Sequence, residues 1–156
     1  MMVTLTRENL NSAIPEFLRD VFRNLMTNPS SNTGDWIYKD NPQIDFTQAE
    51  YPIVNISTKN IEKVRIGLKG NRYRVGDIDV QCLIFTDDPY DRDTISADII
   101  KYSLAESTSA DSTGDTFEDN MLRVKTTSYK VDDRYINQEE ILRVGIVAIT
   151  LRYRGG

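Results

Sequence analysis

Tyr73-Arg74-Val75-Gly76-Asp77-Ile78-Asp79-Val80-Gln81-Cys82-Leu83-Ile84-Phe85 is the stretch that decides the architecture. Ile78, Val80, Cys82 and Ile84 fall on one face of an extended chain, and Asp77, Asp79 and Gln81 on the other. One dry face and one wet face predict an antiparallel strand with cover on one side only. The preceding residues, Ile61 to Lys69, repeat the alternation: Val64, Ile66 and Leu68 oppose Lys63, Arg65 and Lys69, and Gly70-Asn71 supplies the turn. Tyr51-Pro52-Ile53-Val54-Asn55-Ile56-Ser57 reads as an earlier strand, with Pro52 suited to a strand start or edge. Two more strands are expected, from about Met121 to Val131 and from about Ile141 to Tyr153. The last is apolar on both faces in its middle (Val144, Ile146, Val147, Ala148, Ile149), which predicts a central position. Asp132 to Asn137 turns the chain between them.

Two helices accompany this sheet. Leu10, Ala13, Ile14, Phe17, Leu18, Val21, Phe22 and Leu25 recur at steps of three and four, with Arg19, Asp20, Arg23 and Asn24 on the opposite side. Thr6 is a candidate cap. Pro15 predicts a bend or a late start, and Asn28-Pro29 a stop. The second helix is expected after Asp88-Pro89, capped by Asp91 or Asp93, with Ile95, Ile99, Ile100, Tyr102 and Leu104 on its apolar side. The expected fold is therefore α+β, a mostly antiparallel mixed sheet of about five strands with two helices packed on one face. It forms a single domain over 1–156, with long loops near 28–50 and 106–120. Residues 106–115 are Ser, Thr, Asp and Gly rich and read as a mobile polar loop.

At 156 residues, 39% hydrophobic and 28% charged, the chain supports one core and is too apolar for a disordered segment. No apolar run approaches the length that crosses a bilayer. The first residues lack the basic-then-apolar order of a secretory signal and read as part of a mature, soluble, intracellular protein. Cys82 is the one cysteine, which excludes an internal disulfide and a C-x-x-C knuckle; in its apolar run it reads as a buried hydrophobe. The chain has no histidine. That removes Ser-His-Asp and Cys-His catalysis and most zinc sites, so no catalytic residue, metal or cofactor is expected.

The remaining constellations are weak as chemistry. Asp87, Asp88, Asp91 and Asp93 lack EF-hand spacing and a turn glycine, and read better as a loop and helix start where carboxylates meet the helix dipole. Asp77 and Asp79 are paired carboxylates of the kind glycoside hydrolysis uses, yet a solvated strand face accounts for them. Gly67, Gly70 and Gly76 form no phosphate-cradling motif. Residues 28–50 are a long connection, functional or mobile by its length. Its aromatic residues Trp36, Tyr38 and Phe46 are candidate partner contacts, with a hydrophobic plug the favoured alternative for Trp36 and Tyr38.

Charge is the more informative pattern. Net charge is −5, so a general nucleic-acid footprint is absent. Lys59 to Arg74 nevertheless holds six basic residues and one acid, with Lys63, Arg65, Lys69, Arg72 and Arg74 forming a candidate basic face. Asp87 to Asp119 holds ten acids and two basic residues, with Asp87, Asp88, Asp91, Asp93 and Asp98 as the candidate acidic face. These are solvated faces of one monomer, or unlike surfaces that join copies head to tail and, repeated by rotation, close a ring.

The amphipathic helix Leu10 to Leu25 is followed by a polar stretch before Tyr51-Pro52-Ile53-Val54-Asn55-Ile56. Then come the long hairpin Val64 to Phe85, a helix after Asp87-Asp88, and a strand pair ending in Leu151-Arg152-Tyr153-Arg154. In this organisation, over nearly the whole chain, the sequence resembles the tail terminator (tail-completion) proteins of long-tailed bacteriophages and related viruses. The resemblance implies a non-enzymatic virion subunit at the tail–neck junction, assembled in the host cytoplasm. It would form a ring, commonly a hexamer, that binds the end of the tail tube and stops its growth. Its other face would meet the head-completion or neck proteins, and DNA would pass through without sequence-specific binding. Other readings stay open: a tail-tube or head-completion subunit, a nucleic-acid-binding module using the 59–74 hairpin, and a carboxylate-only enzyme.

Overall fold

The computed structural model describes residues 4–29, 35–40, 42–45, 49–65 and 73–155, with backbone alone at Val64, Arg65 and Tyr73. In chain order the elements are α1 (Leu10–Leu25), β1 (Ile37–Lys39), β2 (Ile53–Arg65), β3 (Tyr73–Thr86), α2 (Pro89–Leu104), β4 (Leu122–Val131), β5 (Arg134–Tyr135) and β6 (Ile141–Tyr153). The sheet order is β1-β2-β3-β6-β4, with β5 also on β6. Only β1 and β2 pair in parallel; the other pairs are antiparallel. The expected α+β architecture is present, and β6 is interior, as its two apolar faces require.

Both helices bury their apolar sides on one sheet face. The core there joins Ile14, Phe17, Leu18, Val21 and Phe22 of α1 and Ile95 and Ile99 of α2 to Ile56, Ile78, Val80, Cys82, Ile84, Val147, Ile149 and Leu151. Cys82 is fully buried, and burial pushes its thiol up to about 12.

Several expectations are corrected. The strands read at Tyr51–Ser57 and from Ile61 onward are one strand, β2, which absorbs the polar run Thr58-Lys59-Asn60 through register shifts at Thr58/Asn60 and Ile61/Lys63. The Gly70-Asn71 turn lies outside the described residues. Helix α1 starts at Leu10 and runs through a buried Pro15. Asn9 precedes it, and Asn9 Oδ1 takes the Thr6 amide at 2.8 Å, so Thr6 does not cap. It ends at Leu25, ahead of Asn28-Pro29. The cap of α2 is Asp88, whose Oδ1 accepts the Tyr90 amide at 2.8 Å, with Pro89 in the first helical turn where its missing N–H costs nothing. Leu104, expected on the apolar side, is 58% exposed.

The second sheet face is not uniformly wet. Near α2 it carries a second core of Ile53, Phe85, Leu142 and Val144, against which Tyr38, Ile44, Tyr51 and Ile136 pack. Further along, it is polar: Asp77 takes Lys125 at 2.8 Å and Arg152 at 3.5 Å, and Asp79 accepts from Thr150 at 3.1 Å. The Lys125 hydrogen bond, partly opposed by desolvation, holds the Asp77 carboxyl below the usual range.

The segment between α2 and β4 is tied into the molecule. Phe117 is fully buried and meets Phe17 edge-on, centroids 5.3 Å apart. The buried Asp111 carboxylate accepts from the amides of Thr113 and Asp115 and from the Thr113 hydroxyl. Asn24 of α1 donates to the Ala110 carbonyl, and Ser109 Oγ to that of Tyr102. Its polar composition serves local turns rather than mobility.

Candidate functional site

The start of the acidic block and the described part of the basic block sit at opposite ends of β3. Arg74 is at its start, opposite Val64 of β2, and Thr86 at its finish leads into Asp87. Thirteen steps of extended chain separate Arg74 from Asp87, roughly 40 Å. Of the predicted basic face, Lys63 and Arg74 are exposed. The side chain of Arg65, and all of Lys69 and Arg72, lie outside the described residues.

The acidic block is not one face. Helix α2, about 24 Å long, separates Asp87, Asp88, Asp91 and Asp93 at its start from the acids of 106–119 beyond its end. Its members also differ in duty. Asp88 caps the helix. Asp93 accepts from Tyr129 Oη at 2.9 Å and Arg92 Nε at 3.3 Å. Asp111 holds its own loop. Asp98 is half-buried, almost three turns along α2 from the cap. Asp87 and Asp91 carry no ion pair among the described residues, and between them Tyr90 is 81% exposed. Burial and then repulsion from Asp88 and Asp87 raise the Asp91 carboxyl. Burial and the nearby Asp87, Glu140 and Asp45 likewise raise Tyr51. This corner is a strongly negative field around an exposed aromatic ring.

Arg92, counted by sequence as a positive charge within the acidic block, is buried and spent on Asp133 and Asp93. Its Nη1 donates to both Asp133 oxygens at 2.7 and 2.9 Å, and Arg143 Nη1 adds a third bond at 3.0 Å. The Val144 amide donates to Asp133 as well, at 3.0 Å. The network fastens the start of α2 to β6 and to the turn before β5.

The aromatic partner-loop candidates are placed differently from that role. Trp36 is 9% exposed and belongs to the main core, which corrects the partner-contact assignment and agrees with the favoured hydrophobic plug: its ring offers almost no surface to a partner. Tyr38 is half-buried against the second core and donates to the Asp35 carbonyl at 2.6 Å. Phe46 lies outside the described residues.

A second feature was not read from the sequence. At the far end of α2 a cleft of about 590 Å³ is lined by Leu104, Glu106, Glu118, Met121, Arg123 and Arg154, among others. Met121 is 54% exposed and turns the chain into β4 with φ of 59°. The amide of Arg154 bonds the Met121 carbonyl at 2.9 Å, so the end of β6 forms part of the cleft. Among the described residues no three His, Cys, Asp or Glu gather as a metal site.

No family model matches the chain, and no curated protein matches it in sequence. The functional reading therefore rests on surfaces. Among the described residues, no strand pairs with the outer edge of β4, and beyond Ile56 β2 pairs with β3 alone, its other edge being open. Both edges are basic: β4 holds Arg123, Lys125 and Lys130 and no acid, and the free part of β2 holds Lys59, Lys63 and Arg65 against Glu62. Like charges on facing strands repel, so the edges resist pairing copy to copy. The contact that charge favours runs from the acidic start of α2 to the basic end of the sheet.

Proposed function

We propose that this chain is a ring-forming structural subunit of a tailed virus, a tail terminator that caps the tail tube and joins it to the head. The observation that carries the reading is the opposition of the acidic start of α2 and the exposed Lys63 and Arg74 at the two ends of β3. A contact between unlike ends is heterologous, and repetition by rotation closes it into a ring. The organisation of elements that resembles tail terminators adds to this. On this reading the partners are other copies of the chain, the tail-tube protein and a head-completion or neck protein. DNA passes through the ring without being read, and no catalysis is involved.

Reversal of Lys63, Arg65 and Lys69 to Glu is expected to raise the concentration for half-assembly about tenfold or more, equivalent to at least about 1.4 kcal/mol. Added salt should weaken assembly of the unsubstituted chain more than that of the reversed variant. Sedimentation measures both. Assembly that ignores the first set contradicts the charged interface. Micrographs showing tubes of unlimited length would assign the chain to the tube instead.

A further inference from the structure

We infer that Tyr90 of one copy seats in the Leu104–Met121 cleft of the next, with its flanking Asp87 and Asp91 meeting Arg123 and Arg154 at the cleft. This rests on the ring reading and names the contact that builds the ring. Tyr90 is the most exposed large hydrophobic residue among those described, and Leu104 and Met121 are exposed in the same chain at the other end of α2. Fourteen residues of helix, about 21 Å, separate Tyr90 from Leu104. One copy therefore cannot satisfy its own cleft, and a second copy can.

The chemistry matches on both sides. Tyrosine brings a large ring with one polar tip, suited to a cleft that is apolar at Leu104 and Met121 and polar at its margins. The methionine thioether favours contact with an aromatic ring. Asp87 and Asp91 have no ion pair among the described residues, and neither have Arg123 and Arg154. Glu106 and Glu118, also at the cleft, are the opposing charges. They disfavour carboxylates that approach on their side and so orient the incoming corner toward the arginines. The basic end of β2 lies three strands from β4, about 15 Å away, near enough to add to the same field.

The experiment is site-directed cross-linking with a short bis-maleimide, with light scattering on the same samples. Cys82 is buried and silent. Full-length Thr94→Cys, one helical turn from Tyr90, and Ser107→Cys, at the rim of the cleft, keep both contact side chains; mixed, they are expected to give covalent dimers. Neither variant alone should do so, nor should Thr94→Cys mixed with a control at exposed Ala148→Cys. The doubly substituted chain should give a ladder ending at the ring size. Oligomers without this cross-link overturn the contact and leave the ring reading standing. Monomers throughout, without cross-link, overturn both.

Discussion

Replacement of Phe117 by alanine is expected to cost about 3–5 kcal/mol of folding stability, the range for truncating a buried aromatic residue. The side chain is fully enclosed and stands edge-on to Phe17 of α1. Its removal leaves a cavity beneath the only segment joining α2 to β4, and that segment also supplies Glu118 and Met121 to the cleft. A loss of this size is a large part of the stability of an ordinary domain. Urea unfolding should show a lower midpoint with an unchanged slope. A cost below about 1 kcal/mol would mean that residues 106–121 are not packed on the core. Before unfolding, the variant should also assemble less well, because the segment that supplies Glu118 and Met121 to the cleft loses its anchor in the core.

Asp133→Ala is expected to cost about 2–3 kcal/mol near neutral pH. The carboxylate accepts from Arg92, Arg143 and the Val144 amide, and its loss strands Arg92, whose side chain is 10% exposed. The side chain of Asp133 itself is 26% exposed, so the cost falls short of that for a fully enclosed pair. Burial opposes ionisation of Asp133, but the bonds from Arg92, Arg143 and Val144 outweigh it and hold the carboxyl below its ordinary value. A depressed folded-state value means that the stabilisation is complete above the unfolded pKa of about 3.9 and disappears as pH falls through the folded value. Asp133→Asn keeps the shape without the charge. Its stability difference from wild type should be full at pH 7 and shrink steadily below about pH 4. A difference independent of pH would show that the ionised carboxylate is not what holds α2.

The parts of the fold that were legible in sequence are those where a periodic pattern ran long enough to exclude alternatives. The stripe from Leu10 to Phe22 and the doubly apolar run in β6 each specify one element and its environment. Failure came where short polar runs admit two structures. Thr58-Lys59-Asn60 has turn composition, yet the pairing of β2 with β3 on either side absorbs it as bulges. Asp88, Asp91 and Asp93 are all competent caps by type; Pro89 in the first turn is the signal that selects Asp88. Phe117 was hidden because one aromatic residue among Ser, Thr and Asp creates no periodicity, and only Phe17, a hundred residues earlier, explains it. For the surface, sequence located the charges but not their directions. Residues 87–119 read as one acidic block, and helix α2 divides it. Arg92 counts as surface charge until Asp133 is seen to bury it. The Leu104–Met121 cleft combines residues from the end of α2, the turn before β4 and the end of β6, which no local pattern links. Tyr90, by contrast, had a signal: an aromatic residue between carboxylates at a helix start has no core to enter.

The most direct test of the account is the absolute mass of the purified chain by light scattering after size exclusion, across concentration and salt. A closed ring held by unlike charges gives a discrete oligomer at low salt that dissociates to monomer as salt screens the contact between acidic and basic ends. A monomer at every concentration, or an oligomer indifferent to salt, would contradict it.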